Sequence, residues 1–215
     1  DLEKAGKTNE EQQKLWEPKP IEELYDLNKD PFETQNLAHS PKYEQIKATL
    51  KARLHEWMLE SHDLGLLAEP EYMIRSSSST PYEYGKGGDY AVEKILWEAE
   101  NVGVATEKEL IPGLQDKESG VRYWAVMGIR QLESINDETS KILKRLLRAE
   151  SASVKIVASE TLSHFGHQEG TIEVLEKWVQ DDSPWLALMA ARNLLLVGSN
   201  ARPAIPIMYS VLEKN

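Results

Sequence analysis

"VRYWAVMGIRQLE", residues 121–133, returns twice in altered form, as "VKIVASETLSHFG" at 154–166 and "LALMAARNLLLVG" at 186–198. The three copies begin 33 and 32 residues apart. Each has a small residue four places in (Ala125, Ala158, Ala190), then an aliphatic (Ile129, Leu162, Leu194), then a further apolar residue (Leu132, Phe165, Val197). Apolar positions three and four apart share one face of a helix. The segments in front keep the same step, with Leu110, Leu143, Leu175 and Ile207 aligned, and Leu114, Leu147, Val179 and Val211 aligned. The pattern predicts a stack of helical hairpins. The alanines let helices approach closely, the aliphatics fill the layer between them, and Gly166 and Gly198 close two of the second helices with a positive-φ cap. One hairpin cannot bury its apolar face alone, so neighbours must share a continuous core.

Working outward, a helix over about Asp89–Glu100, with Val92, Leu96 and Ala99 on one face, stands nearly in register with the second helices and is expected to cap the front of the array. The last helix carries one apolar stripe (Ile205, Met208, Tyr209, Leu212) where a fourth second helix would next begin. Period, hairpins and the turn pattern D-x-x-x-x-V-R at Asp116–Arg122 resemble HEAT repeats. The resemblance implies that Asp116 and Arg122 tie adjacent repeats together. The second repeat offers only Glu150 and Lys155 at these places, and the third has Asp181 or Asp182 with Ala187 in place of the base.

Ahead of the array the chain changes character. Residues 8–16 predict a short helix capped by Thr8 and stopped by Pro18 and Pro20, and Glu22–Leu27 alternates as a strand. Asp30-Pro31 marks a turn. Ser40-Pro41 predicts a capped helix start, running to about Glu60 with Tyr43, Ile46, Leu50, Leu54 and Trp57 along one face. Residues 68–88, with Pro70, Ser76–Ser79, Pro81 and three glycines, read as a linker. The expected division is therefore 1–67, a linker at 68–88, and a repeat domain at 89–215. The fold class is mainly α, an α-α superhelix of helical hairpins preceded by a short strand and turn and a long helix.

Composition excludes several classes. A net charge of −11 argues against a general nucleic-acid binder, which needs a basic face. The chain has no cysteine, hence no disulfide, thiolate metal site or cysteine nucleophile. No apolar run approaches the roughly 18–20 residues that span a bilayer.

Few residues invite chemistry. His164 and His167 lack further ligands in the neighbouring sequence and read as a helix-end polar pair. "SSSS" at 76–79 lacks the glycine-flanked elbow that exposes a nucleophile. "YGKGGD" at 84–89 lacks the spacing of a phosphate cradle. Trp124, Trp178 and Trp185 fit repeat packing better than a contact surface. The one candidate site is a local basic patch of Arg122, Lys141, Lys144, Arg145, Arg148 and Lys155, which in an acidic protein could hold an anionic ligand or partner.

"EELYDLNKDPFETQNLA", residues 22–38, is more specific. It resembles the C-terminal end of the sulfatase family, whose pattern E-L-Y-D-L-x-x-D-P-x-E-x-x-N-L-A is met at Glu23–Leu27, Asp30, Pro31, Glu33 and Asn36–Ala38. The following helix agrees through Pro41, Leu54 and Trp57. The branch it looks most like is that of the heparan N-sulfatases (N-sulfoglucosamine sulfohydrolases), some of which carry a HEAT-like array after this motif. The resemblance implies a parent that hydrolyses sulfate esters or sulfamates of glycans, in the periplasm or outside the cell. Its catalytic domain would use calcium and a formylglycine made from a C/S-x-P-S/A-R motif. That motif is missing from this chain, which also starts at Asp1 as if cut from something longer. The expectation is a non-catalytic C-terminal part, with its own N-terminal sulfatase domain as partner and a sulfated glycan or another subunit as further candidates. The rival expectation is a free-standing HEAT scaffold, which has no reason to carry the sulfatase motif.

Overall fold

The repeat signature predicts paired helices, and the computed structural model, which describes residues 2–88 and 90–213, consists of helices and turns with no strand among the described residues. It divides into two units, Asp1–Trp57 and Met58–Asn215.

In the first unit, α1 (Glu10–Gln13) is capped by Asn9, whose side chain accepts the Gln12 N–H, and not by Thr8 as expected. The strand expected at Glu22–Leu27 does not form. A strand needs a ladder partner, and here one side-chain amide takes that role. Asn36 Oδ1 accepts the Leu24 and Ala38 N–H groups at 3.0 and 2.9 Å, and its Nδ2 donates to the Glu22 carbonyl at 3.0 Å. A single backbone bond, Leu37 N–H to the Leu24 carbonyl, completes the clip, which buries Ala38. Asp30 makes the expected turn by accepting from Thr34 Oγ1 and the Gln35 N–H. Backbone hydrogen bonds from Thr34 and Gln35 hold its carboxyl below the usual range.

A 3₁₀ turn (Pro41–Tyr43) leads into α2 (Glu44–Ser61). Ser40 makes no side-chain cap, so the proline alone sets the start. Lys47 and Lys51 of α2 both reach Glu22, at 3.3 and 3.2 Å. The apolar face read from the sequence is there, and it is open: Ile46, Leu50, Leu54 and Trp57 are each more than half exposed.

In the second unit, residues 68–88 are not the linker that their composition predicts. They form α3 (Glu69–Arg75) and α4 (Pro81–Gly87). The helix-breaking residues sit where helices tolerate them. Pro70 and Pro81 occupy first turns, Ser76 is the C-cap of α3, and Gly88 ends α4 with φ +77°.

The array follows as α5 (Val92–Glu100), α6 (Glu107–Leu114), α7 (Ser119–Arg130), α8 (Asp137–Leu146), α9 (Ala152–His164), α10 (Thr171–Val179), α11 (Pro184–Val197) and α12 (Ile205–Leu212). Asp89, at the expected start of α5, lies outside the described residues. Helices α5, α7, α9 and α11 stack on one another as one layer, and α6, α8, α10 and α12 form the other. The three repeat alanines and Ile129, Leu162 and Leu194 are fully or almost fully buried, with Leu110, Leu114, Leu143, Leu175 and Val179. Gly166 and Gly198 adopt φ +81° and +69° after α9 and α11, as their places predict. Two further glycines set interhelical distance: a Cβ at Gly128 would lie 2.8 Å from Leu110 Cδ2, and one at Gly120 2.5 Å from Ile95 Cδ1. No helix among the described residues is long and apolar enough to cross a membrane.

Candidate functional site

The basic residues read from the sequence are divided by the fold into three groups. Arg122, in the first turn of α7, is almost fully buried. Its Nη1 donates to the Asp116 and Lys117 carbonyls at 2.7 and 3.0 Å, and its Nη2 reaches Glu150 of the next turn at 3.3 Å. It thus ties the α6–α7 turn to the α8–α9 turn. Lys155, on α9, instead lies 5.2 Å from the ring centre of Trp178, which Lys177 also approaches. Lys141 and Lys144 project from the exposed face of α8.

Arg145 and Arg148 join Arg122 in a groove of about 320 Å³ at the end of α8, with Leu114, Gln115, Asp116, Ile142 and Glu150 among its other lining residues. Both are exposed, and no side-chain hydrogen bond or ion pair engages either among the described residues. Their place at the C-terminal end of a helix suits a cation. Of the two carboxylates, Asp116 Oδ2 pairs with Lys94 and its Oδ1 accepts the Glu118 N–H at 2.8 Å. Burial pushes this carboxyl up, but the Lys94 bond, the backbone N–H and the nearby Arg122 outweigh it, so its pKa is lowered. Glu150 is almost fully solvated.

The other sequence candidates resolve locally. His167 Nε2 lies 3.2 Å from Ser140 Oγ, and His164 packs edge-on against Phe165. Gly85 and Gly87 belong to α4 and Gly88 caps it, so "YGKGG" ends a helix. Trp124 Nε1 donates to the Leu66 carbonyl at 2.7 Å, within the front cluster of Leu66, Leu67, Tyr90, Val92, Ile95 and Val121. In the first unit a cavity of about 800 Å³ is lined by Lys14, Glu23, Tyr25, Phe32, Glu33 and Asn36, among others.

Two polar features, one partly buried and one buried, were not read from the sequence. Glu71 and Arg75 of α3 meet the starts of α7 and α9. Glu71 accepts from Ser119 Oγ at 2.5 Å and Ser151 Oγ at 2.6 Å, while Arg75 binds Glu71, Glu118, Ser119 and Tyr84. Their i,i+4 spacing is a helix signature inside the stretch taken for a linker. The second is Glu98, 2% exposed, with an Oε1 that finds no hydrogen-bond partner among the described residues. Burial first, then Asp116, raises its pKa to about 7 against the pull of Lys94. Its signal was its place three residues after Ile95, on the same inward stripe.

Comparison with known proteins finds both a repeat family and sulfatases. A family profile described as HEAT repeats matches residues 107–196. An ulvan-active sulfatase of Formosa agariphila is 41% identical over 71 residues, 33% of this chain and 12% of that protein. The human N-sulphoglucosamine sulphohydrolase is 49% identical over 41 residues, 19% of this chain and 8% of its own length. The Delta 4,5-hexuronate-2-O-sulfatase of Bacteroides thetaiotaomicron is 50% identical over 42 residues, 20% and 9%. The matched stretches thus span about a tenth of these curated relatives. No solved structure matches the chain. The chain therefore contains an array of HEAT repeats, together with a segment homologous to part of the sulfatases.

Proposed function

We propose that this chain is the non-catalytic C-terminal part of a sulfatase-type hydrolase acting on sulfated glycans. In this reading the motif-bearing first unit joins the catalytic domain. The repeat array supports that domain, shapes substrate access or makes oligomer contacts. The observation that carries the reading is the face of α2. Ile46, Leu50 and Leu54, each more than half exposed, follow directly on the sulfatase-like motif at Glu23–Ala38. A stripe of that kind gains free energy when another surface covers it, and the catalytic domain implied by the motif is the natural cover.

The residues of this chain do not fit the calcium and formylglycine of sulfatases. It has no cysteine and no C/S-x-P-S/A-R motif, and no three His, Asp or Glu gather as metal ligands among the described residues. Both groups would belong to the catalytic domain. The test is a Leu50→Asp, Leu54→Asp variant in the polypeptide that includes the sequence upstream of Asp1. Its catalytic domain should lose thermal stability while the array keeps its helical signal. Unchanged stability would favour a free-standing interaction scaffold instead.

A further inference from the structure

We propose that the groove between the α6–α7 and α8–α9 turns is an oxyanion site that takes a sulfate group of an acidic glycan. The anion follows from the groove itself, and the glycan rests on the function proposed above.

Arg145 and Arg148 offer two guanidinium forks with no side-chain partner among the described residues, three positions apart at the end of α8. Planar forks of this kind match the oxygens of sulfate and carboxylate groups in a way that an ammonium does not. Arg122 forms the floor. Both its terminal nitrogens are committed, whereas its Nε is buried without a hydrogen-bond partner among the described residues. Gln115 adds an exposed amide to the lining.

Three cations therefore face two carboxylates, and the carboxylates are unequal. Asp116 is held by Lys94 and the Glu118 N–H. Glu150 is 92% exposed, so solvent screens its 3.3 Å contact with Arg122 Nη2 and it competes weakly with an incoming anion. With −11 on the whole chain, long-range attraction does not deliver the ligand. Binding must come from contact in the groove, which makes it separable from general charge.

That separation is the test. The full 215-residue chain is titrated at low salt with a fluorescently labelled, heparin-derived oligosaccharide, and with the same oligosaccharide after removal of its sulfates. Two double variants remove equal charge from α8 and the residues just after it: Arg145→Ala, Arg148→Ala within the groove, and Lys141→Ala, Lys144→Ala outside it. All four side chains are exposed, and circular dichroism checks that the fold is retained. The groove variant should lose about tenfold or more in affinity and the lysine variant less than about threefold, because only the former removes bidentate contacts. Glu150→Gln should tighten binding. Equal losses from both pairs, equal binding of the desulfated oligosaccharide, or no binding by the unaltered chain would each overturn the proposal. Groove-dependent binding of sulfated sugar by a chain whose parent turns over no sulfate would leave the site standing and remove the sulfatase reading. Turnover by the parent without groove binding would do the reverse.

Discussion

Glu71 Oε2 accepts a hydrogen bond from Ser151 Oγ at 2.6 Å, joining residues 80 apart in the chain. Ser151 is also the N-cap of α9, and the other oxygen of Glu71 takes Ser119 Oγ at the first position of α7. One carboxylate on α3 thus meets the starts of two successive second helices, where a negative charge opposes the helix dipoles favourably. Arg75, one turn on, adds Glu118, the N-cap of α7. The stretch whose composition reads as a linker is fastened across the array.

Removing that carboxylate should weaken the array as a whole. Glu71→Ala leaves Arg75 short of a partner and takes the acceptor from the Ser119 and Ser151 hydroxyl protons, in a site where Glu71 is only 13% exposed. The expected cost is about 2–4 kcal/mol by denaturant unfolding. Glu71→Gln, which keeps acceptor capacity, should cost less. A solvated linker would give no change for either.

Glu98 makes stability depend on pH in a definite direction. Its carboxyl titrates near 7 in the folded chain against an ordinary value of 4.5. The native state therefore holds a proton that the unfolded chain releases between these values. The stability contribution is full below about pH 4.5, falls as pH rises through 7, and is level above. The shift corresponds to at most about 3 kcal/mol. Glu98→Gln should remove this slope and be the more stable form at pH 8, as read from unfolding curves at pH 5 and pH 8. Parallel curves for the two proteins would contradict the assignment.

Gly113 is the complement of Glu98. A Cβ at Gly113 would fall on Glu98 Oε1 and lie 2.9 Å from Ala125 Cβ. Gly113→Ala should therefore destabilise by about 1–3 kcal/mol. In a Glu98→Ala background the loss should be smaller but not absent, since the Ala125 contact remains. A double-mutant cycle reads that coupling.

The cap after α9 gives a smaller, local effect. With φ +81° and open space around it, Gly166 is constrained by backbone conformation alone. Gly166→Ala should cost about 1 kcal/mol, and Gly166→Asn less, because Asn tolerates the left-handed region better. Thermal unfolding of the two variants distinguishes conformation from packing, which would penalise the larger side chain more.

What could be read in the sequence was what depends on period. Ala125, Ala158 and Ala190, the leucines aligned with Leu110, and the glycine caps all recur at a fixed step, and each occupies its expected place. What could not be read depends on long-range pairing. Ser, Pro and Gly at 68–88 are loop formers on average, but Pro at a first turn and Gly or Ser at a last turn are also helix punctuation. Only the contact of Glu71 with Ser119 and Ser151 decides between the two. The segment Glu22–Leu27 has the right alternation but no ladder partner among the described residues, and Asn36 takes hydrogen bonds that a neighbouring strand would take. The basic patch was drawn from local density of charge. Burial of Arg122 and stacking of Lys155 on Trp178, both set by tertiary packing, divide it, and Arg145 and Arg148 line a groove with Arg122.

The most direct test of the proposed function is sulfate release from sulfated glycans, measured side by side for the 215-residue chain and for the polypeptide that includes its upstream sequence. Release is expected from the longer polypeptide and none from the chain alone. Turnover by the isolated chain, or none by the longer polypeptide on any sulfated glycan, would contradict it.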